Sequence, residues 1–181
     1  MMLVTPYHAE NNFKALDTYK ETVPYPIFDC VPDPIKKAKE RKKLGLAADK
    51  IHVLNVGLWT PYKNQSELVE MAHIIEEQHP GKFHFHFVGN QAGNFKSYWG
   101  PIMEAGLPDN VTVWGERHDT ESFYLACDVF SFNSTWECSP LAIREAVSFG
   151  LTTFTRKLPQ YLDTFTPYVT YFSDSASENA K

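Results

Sequence analysis

From Ile51 onward the chain alternates two kinds of segment, and this alternation limits the folds open to it more than any other feature. Residues 51–57, IHVLNVG, form an apolar, β-rich run closed by glycine, the pattern of a strand buried on both faces. A helix over about 65–79 follows, with Leu68, Met71, Ala72 and Ile75 at helical spacing and Asn64 with Glu67 as an expected capping box. FHFHFVG (83–89), VTVWG (111–115), DVFSF (128–132), TTFT (152–155) and YVTYF (168–172) read as five more strands. Between them come a weaker helix over about 95–106, one near 120–126, and one opened by Ser139 and Pro140 and stopped by Gly150. Strands that alternate with helices predict an α/β fold: a doubly wound parallel sheet of about six strands, with helices on both faces.

Before this region, residues 1–35 read as a connector, broken by Pro24, Pro26, Pro32 and Pro34. Asp33 and Pro34 then open a short helix, as cap and first helical residue, and Gly45 closes it. The chain thus divides into a connector with a short basic helix (1–50), one α/β domain (51–172) and a polar tail (173–181). At 181 residues, 43% of them hydrophobic, it is long enough for one ordered core and for little more.

The net charge of −5 conceals an uneven distribution. Residues 36–43, KKAKERKK, hold six of the 17 basic residues and one of the 22 acidic ones, so the remainder carries a net −10. A body that acidic argues against general nucleic-acid binding. The basic run is expected to be a solvated helix face, with weak contact to an anionic membrane surface as the alternative. No apolar run approaches 18 residues and MMLVTPYHAENN lacks the pattern of a signal peptide. Cys30, Cys127 and Cys138 are odd in number and widely spaced, which fits free thiols in a reducing compartment, the cytoplasm.

In a doubly wound sheet, ligands bind beyond the carboxyl ends of the strands. The loops to watch are therefore 57–64, 89–94, 115–120 and 133–140. Lys63 stands at a helix N-terminus, where a cation is unfavourable unless an anion sits between it and the helix. A bound diphosphate and a solvent-exposed lysine remain equal readings of that position. Ser139 and Pro140 are expected to cap the next helix, leaving the N–H groups of Leu141 and Ala142 to face an anion. Glu137 and Glu145 bracket this helix start, and carboxylates accept hydrogen bonds from sugar or ribose hydroxyls. Two glutamates at this spacing also arise by chance, so the pair alone decides nothing. His84 and His86 share a strand face. Without a nearby cysteine or carboxylate they read as packed histidines, and a metal site with His79 is the weaker alternative. No glycine-rich phosphate loop of either standard kind is present, which argues against an ordinary dinucleotide enzyme and a P-loop ATPase.

The segments NVGLWTPYKNQ, FHFVGN, VTVWGE, YLACDVFSFNSTWE and ECSPLAIREAVSFG stand in this order over about residues 51–172. Together they resemble the C-terminal, donor-binding domain of retaining glycosyltransferases of the GT-B architecture, the glycogen-synthase-like group 1 class, and PYPIFDCVPDPIKKAKERKKLGL resembles the segment that precedes it. The resemblance implies a Rossmann-like domain that binds a nucleoside-diphosphate sugar without a metal or other cofactor. It implies that Glu137 lies beside the donor sugar, that Glu145 holds the ribose and that Lys63 neutralises the diphosphate, so Glu137 and Lys63 are the catalytic candidates. Cys138, Ser139, Leu141 and Ala142 would line sugar and phosphates. Gly57 and Gly89 would also belong to the donor-binding surface, and Gly115, Glu116 and Arg117 would border the base. The sequence departs from the family pattern at Leu58, where an arginine usually follows the strand-ending glycine, and at Pro140, where glycine is common.

The resemblance also implies that the acceptor (a glycan, lipid or protein) is held by an N-terminal domain that this chain lacks, so that the chain alone is expected to be inactive. Two other classes stay open: a non-catalytic binding module that kept the fold, and an epimerase-type enzyme acting on nucleotide sugars.

Overall fold

The computed structural model describes residues 31–91, 93 and 95–172, and before them two short strands, β1 (Met2–Leu3) and β2 (Lys20–Glu21), which pair in parallel. Cys30, Pro24, Pro26 and the tail at 173–181 lie outside the described residues.

The body is a six-stranded, all-parallel sheet of β3 (Ile51–Val56), β4 (Phe83–Val88), β5 (Val111–Gly115), β6 (Val129–Phe132), β7 (Thr152–Thr155) and β8 (Thr170–Tyr171). The spatial order is β5-β4-β3-β6-β7-β8. The chain therefore winds outward from β3 through β4 and β5, returns to the centre, and winds the other way from β6. The reversal falls between β3 and β6, which pair at Val53↔Val129 and Leu54↔Phe130. At such a switch point the loops leaving the two strands diverge and open a crevice.

Alternate side chains enter opposite faces. Leu54, Val88, Phe130 and Phe132 join Phe123, Ile143 and Ala146 in one buried cluster. Val53, Phe85 and Phe87 join Leu68, Met71, Ala72 and Trp99 in the other. That two-sided burial is why the strands read as nearly continuous apolar runs.

The helices are α1 (Pro34–Leu44), α2 (Gln65–Gln78), α3 (Phe95–Tyr98), α4 (Gly100–Ala105), α5 (Thr120–Ala126), α6 (Leu141–Ser148) and α7 (Leu162–Phe165). The ends of α1 are as expected. Asp33 accepts from the N–H groups of Ile35 and Lys36, Pro34 sits in the first turn, and Gly45 closes the helix in the left-handed region at φ 70°.

Three expectations need correction. Asn64 and Glu67 do not form a reciprocal capping box. Asn64 also ends the 3-10 turn Pro61–Lys63, which puts it at φ 50°, and its side chain makes no cap bond. Its amide instead donates to the Glu67 carboxylate at 2.7 Å. Ser139 does not cap α6, since Pro140 holds the N-cap position and the helix opens at Leu141 without a side-chain cap. The helix over 95–106 is two short helices that meet at Trp99. Pro101 lies in the first turn of α4, where its missing N–H costs nothing, and the buried Trp99 ring packs 4.6 Å from Trp59.

Candidate donor site at the strand crossover

The loop after β3 and the loop after β6 leave the sheet side by side at the switch point. The Thr135 N–H donates to Tyr62 O at 2.8 Å, which binds the two loops through the backbone. Across this junction the Lys63 ammonium forms an ion pair with the Glu137 carboxylate. Ser134 Oγ lies 2.6 Å from the same carboxylate oxygen. Ser134 is fully buried and Glu137 nearly so. Lys63 Nζ also stands 4.9 Å from the centroid of the Phe132 ring. Lys63 is thus neither a solvent-exposed lysine nor a cation facing an empty helix end, because a carboxylate from the other half of the sheet already neutralises it.

Behind the pair, the glycines that end β3, β4 and β5 bring three backbones together. Gly57 N donates to Val88 O at 3.0 Å, and Gly89 N donates to Gly115 O at 2.8 Å. A Cβ on Gly89 would lie 1.9 Å from the Gly57 carbonyl oxygen, so this position tolerates no side chain. Gly115 has φ 70°, a left-handed conformation that glycine adopts at no steric cost. A Cβ on Gly57 would meet its neighbours only at ordinary contact distances.

Beyond Glu137 the chain runs through the exposed Cys138 and the half-buried Ser139 to Pro140 and the N-terminus of α6. Burial, and then the Glu137 charge, push the Cys138 thiol up. The opening N–H groups of a helix have no partner within it, and Pro140 at the N-cap of α6 has no side-chain acceptor to offer them. Leu141 is exposed and Ala142 half-buried at this edge. Glu145, one turn further on, is exposed and accepts the Tyr124 hydroxyl at 2.8 Å. Burial, and then the Glu145 charge, push that hydroxyl well up, so it remains a donor.

On the other flank, Glu116 accepts from the Asn90 amide at 2.8 Å. Arg117 does not reach outward. Its Nε and Nη2 donate to the two Asp119 oxygens at 2.9 and 3.0 Å, and the guanidinium lies over the Trp114 and Phe123 rings. The Arg117 hydrogen bond holds the Asp119 carboxyl below the usual carboxylate range.

The expected residues therefore separate into groups. Lys63 and Glu137 meet directly, while Cys138, Ser139, Leu141 and Ala142 continue from Glu137 along one edge. Glu145 stands on Tyr124, and Gly115, Glu116 and Arg117 form the turn after β5, bonded to Gly89, Asn90 and Asp119 in that order. Sequence reasoning missed Ser134, three residues before Glu137, and also Tyr124 and the Arg156–Glu67 ion pair at 2.5 Å, whose partners lie 21 and 89 residues away. Leu58, at the position where the family usually has arginine, is half-exposed and apolar.

The histidines lie elsewhere, toward the amino ends of β3 and β4. His52 and His84 pair in register, and His52 Nδ1 stands 2.8 Å from His86 Nε2. Among the described residues no group of three His, Cys, Asp or Glu is arranged to hold a metal, and His79 stands by the Phe83 ring instead.

Among solved structures, the chain is similar to WaaG, a glycosyltransferase involved in lipopolysaccharide biosynthesis, at 18% identity and TM-score 0.79 over 98% of this chain and 51% of that one. It is similar to sucrose-phosphate synthase from Thermosynechococcus elongatus at 22% identity and TM-score 0.75, over 98% of this chain and 46% of that one. It is also similar to Anabaena Alr3699/HepE, whose structure is in complex with UDP and glucose, at 23% identity and TM-score 0.68, over 82% of this chain and 41% of that one. The chain thus spans about half the length of these proteins or less, and at such identities the likeness establishes the fold. No curated protein sequence matches it. The family model described as glycosyl transferases group 1 matches residues 36–180, four-fifths of the sequence and all of the crevice: the chain belongs to the group 1 glycosyl transferases.

Proposed function

We propose that this chain binds a nucleoside-diphosphate sugar in the crevice between β3 and β6 and serves as the donor half of a retaining glycosyltransferase. The acceptor would be held by a separate domain. The observation that carries this reading is the meeting of Lys63 and Glu137 at the switch point, beside the α6 N-terminus that opens after Pro140.

A diphosphate entering there would take over the Lys63 ammonium from Glu137 and meet the N–H groups of Leu141 and Ala142. These donors would stabilise the charge that builds on the departing diphosphate as the glycosyl bond breaks. Glu137, released, would accept hydrogen bonds from the sugar hydroxyls and fix its orientation, a positioning role. Glu145, held on Tyr124, would accept from the ribose, and the turn at Gly115–Arg117 would border the base with Glu116 and backbone groups. One lysine and one helix end supply the positive charge, so the reading needs no metal. The thiols of Cys127 and Cys138, neither of them in a disulfide, fit the cytoplasm as the place of action.

Calorimetric titration with UDP, GDP, ADP and their sugar conjugates tests the proposal. Binding of one nucleotide series, weakened in Glu145→Ala, is the expected result and names the base. No heat with any of them at millimolar concentration would overturn it in favour of a module that kept the fold and lost the ligand. Sugar conversion without an acceptor would point to an epimerase-type enzyme.

A further inference from the structure

The lysine-rich helix α1 takes no part in the crevice, and its side chains divide by face. Leu44 enters the core. Lys37 and Arg41 grip Asp128 at 2.6 and 2.5 Å, and Arg41 Nε donates to Ala126 O at 2.8 Å. Lys43 Nζ donates to Ser122 Oγ at 2.7 Å. These residues fasten the helix to α5 and to the start of β6.

What remains outward is Ile35, Lys36, Lys39 and Lys42, all exposed. At 100° per residue they share an arc of roughly 120°, and Lys43, whose side chain is 52% exposed, lies at the same side and leans from it onto Ser122. The helix's one acidic residue, Glu40, falls outside that arc and is half-buried beside Lys43. Ile35 is 83% exposed and lies within the arc between Lys42 and Lys39, and Val31 is 86% exposed just before the helix.

We propose that this face docks the chain on an anionic lipid surface, with the three lysines at the phosphate level and Ile35 entering the headgroup boundary. A solvated helix face ordinarily mixes charges of both signs, whereas this one is cationic throughout and carries an exposed isoleucine. A phosphate backbone has no use for that isoleucine, but a lipid surface does. Nucleic acid would also have to run on from a patch about 9 Å long past a body whose net charge is −10 without residues 36–43. A planar membrane meets the patch alone, because charge beyond roughly 8–10 Å is screened. The proposal is independent of donor binding.

Flotation of the full chain with vesicles tests it, using phosphatidylcholine alone and phosphatidylcholine with about 30% phosphatidylglycerol. Binding is expected only to the anionic vesicles, and it should fall at least tenfold between about 0.05 M and 0.5 M salt. The triple variant K36Q/K39Q/K42Q should lose about a hundredfold in partitioning, the arginine triple variant should retain it, and Ile35→Ser should lose several-fold. Equal binding to neutral vesicles, or an unaffected glutamine triple variant, overturns the proposal. So does tighter binding to a single-stranded oligonucleotide, or loss of vesicle binding to millimolar phosphate at matched ionic strength. If the triple variant melts early, the vesicle-charge and salt series decides the matter without it.

Discussion

The crevice and the histidine cluster are both polar groups buried against one sheet, yet they are built from different material. At the crevice, Lys63, Ser134 and Glu137 come from loops, carry opposite charges and meet only because β3 lies beside β6. Below it, His52, His86 and Trp114 come from strands, and every proton in their chain has one possible place. The Trp114 indole can only donate, and it does so to His86 Nδ1 at 3.1 Å. His86 must therefore carry its proton on Nε2 and donate to His52 Nδ1. His52 then carries its proton on Nε2 and donates to Ala47 O at 2.7 Å. Both rings are neutral, and either added proton would set two donors face to face. A charged pair on loops can exchange one partner for a ligand, whereas a neutral chain on strands has no alternative arrangement.

The largest expected effect breaks the neutral chain with acid. Burial, and then the neighbouring His84 and His52, push His86 down to about 3 from an ordinary 6.5, and burial lowers His52 and His84 as well. The unfolded chain takes up these protons below pH 6.5 and the folded chain does not, so stability falls as pH drops from 6.5 and the His86 contribution levels off near pH 3. His86 alone accounts for about 2 kcal/mol at pH 5 and roughly 4–5 kcal/mol near pH 3. Urea melts from pH 7.5 to 4 read this slope. His86→Gln, which can keep both hydrogen bonds without titrating, should flatten it. Asp128 belongs to a lower window. Burial alone would raise its carboxyl, but the His52 N–H and Lys37 outweigh that and hold it below the usual range, so its contribution is lost only below about pH 4. An unchanged slope in His86→Gln would remove the distinction between the two regions.

Next in size is Lys63→Ala, which leaves Glu137 nearly buried beside Ser134 without its cation. A loss of roughly 2 kcal/mol in chemical denaturation is expected. Lys63→Ala in a Glu137→Gln background should cost distinctly less, and equal costs would show the pair to be energetically idle. Glu137→Gln alone should raise affinity for inorganic diphosphate about three- to tenfold, because Lys63 is then uncommitted. Calorimetry showing weaker binding would mean that Glu137 organises the site and does not compete for it. Tyr124→Phe is the smallest change. It removes one donor from an exposed carboxylate and should cost about 1 kcal/mol in a thermal melt, with nucleotide affinity lowered only if Glu145 needs that support.

Much of the framework is legible in the sequence. The α1 caps were readable because Asp33, Pro34 and Gly45 act on groups within a few residues. Asn64 misled because one residue served two neighbours: it ended a 3-10 turn, and the backbone that this required turned its side chain away from the α2 N–H groups. Ser139 misled as well, because Pro140 holds the N-cap position that Ser139 was expected to take. At the site, Lys63, Glu137 and Glu145 were each marked by position relative to a helix end. That Lys63 would be held by Glu137, or Glu145 by Tyr124, was not marked, because those pairs lie 74 and 21 residues apart.

The order of strands and helices, the two-sided burial of the sheet and the glycines closing β3, β4 and β5 are properties of the sequence itself. They follow from hydrophobic period and backbone sterics, which act over a few residues whatever the rest of the chain does. Which charges neutralise each other, which histidine donates to which, and which lysines of α1 are left facing outward were decided by the tertiary structure alone. Those outcomes depend on which strand ends and helix faces become neighbours, and the reversal of strand order between β3 and β6 sets the one that matters most.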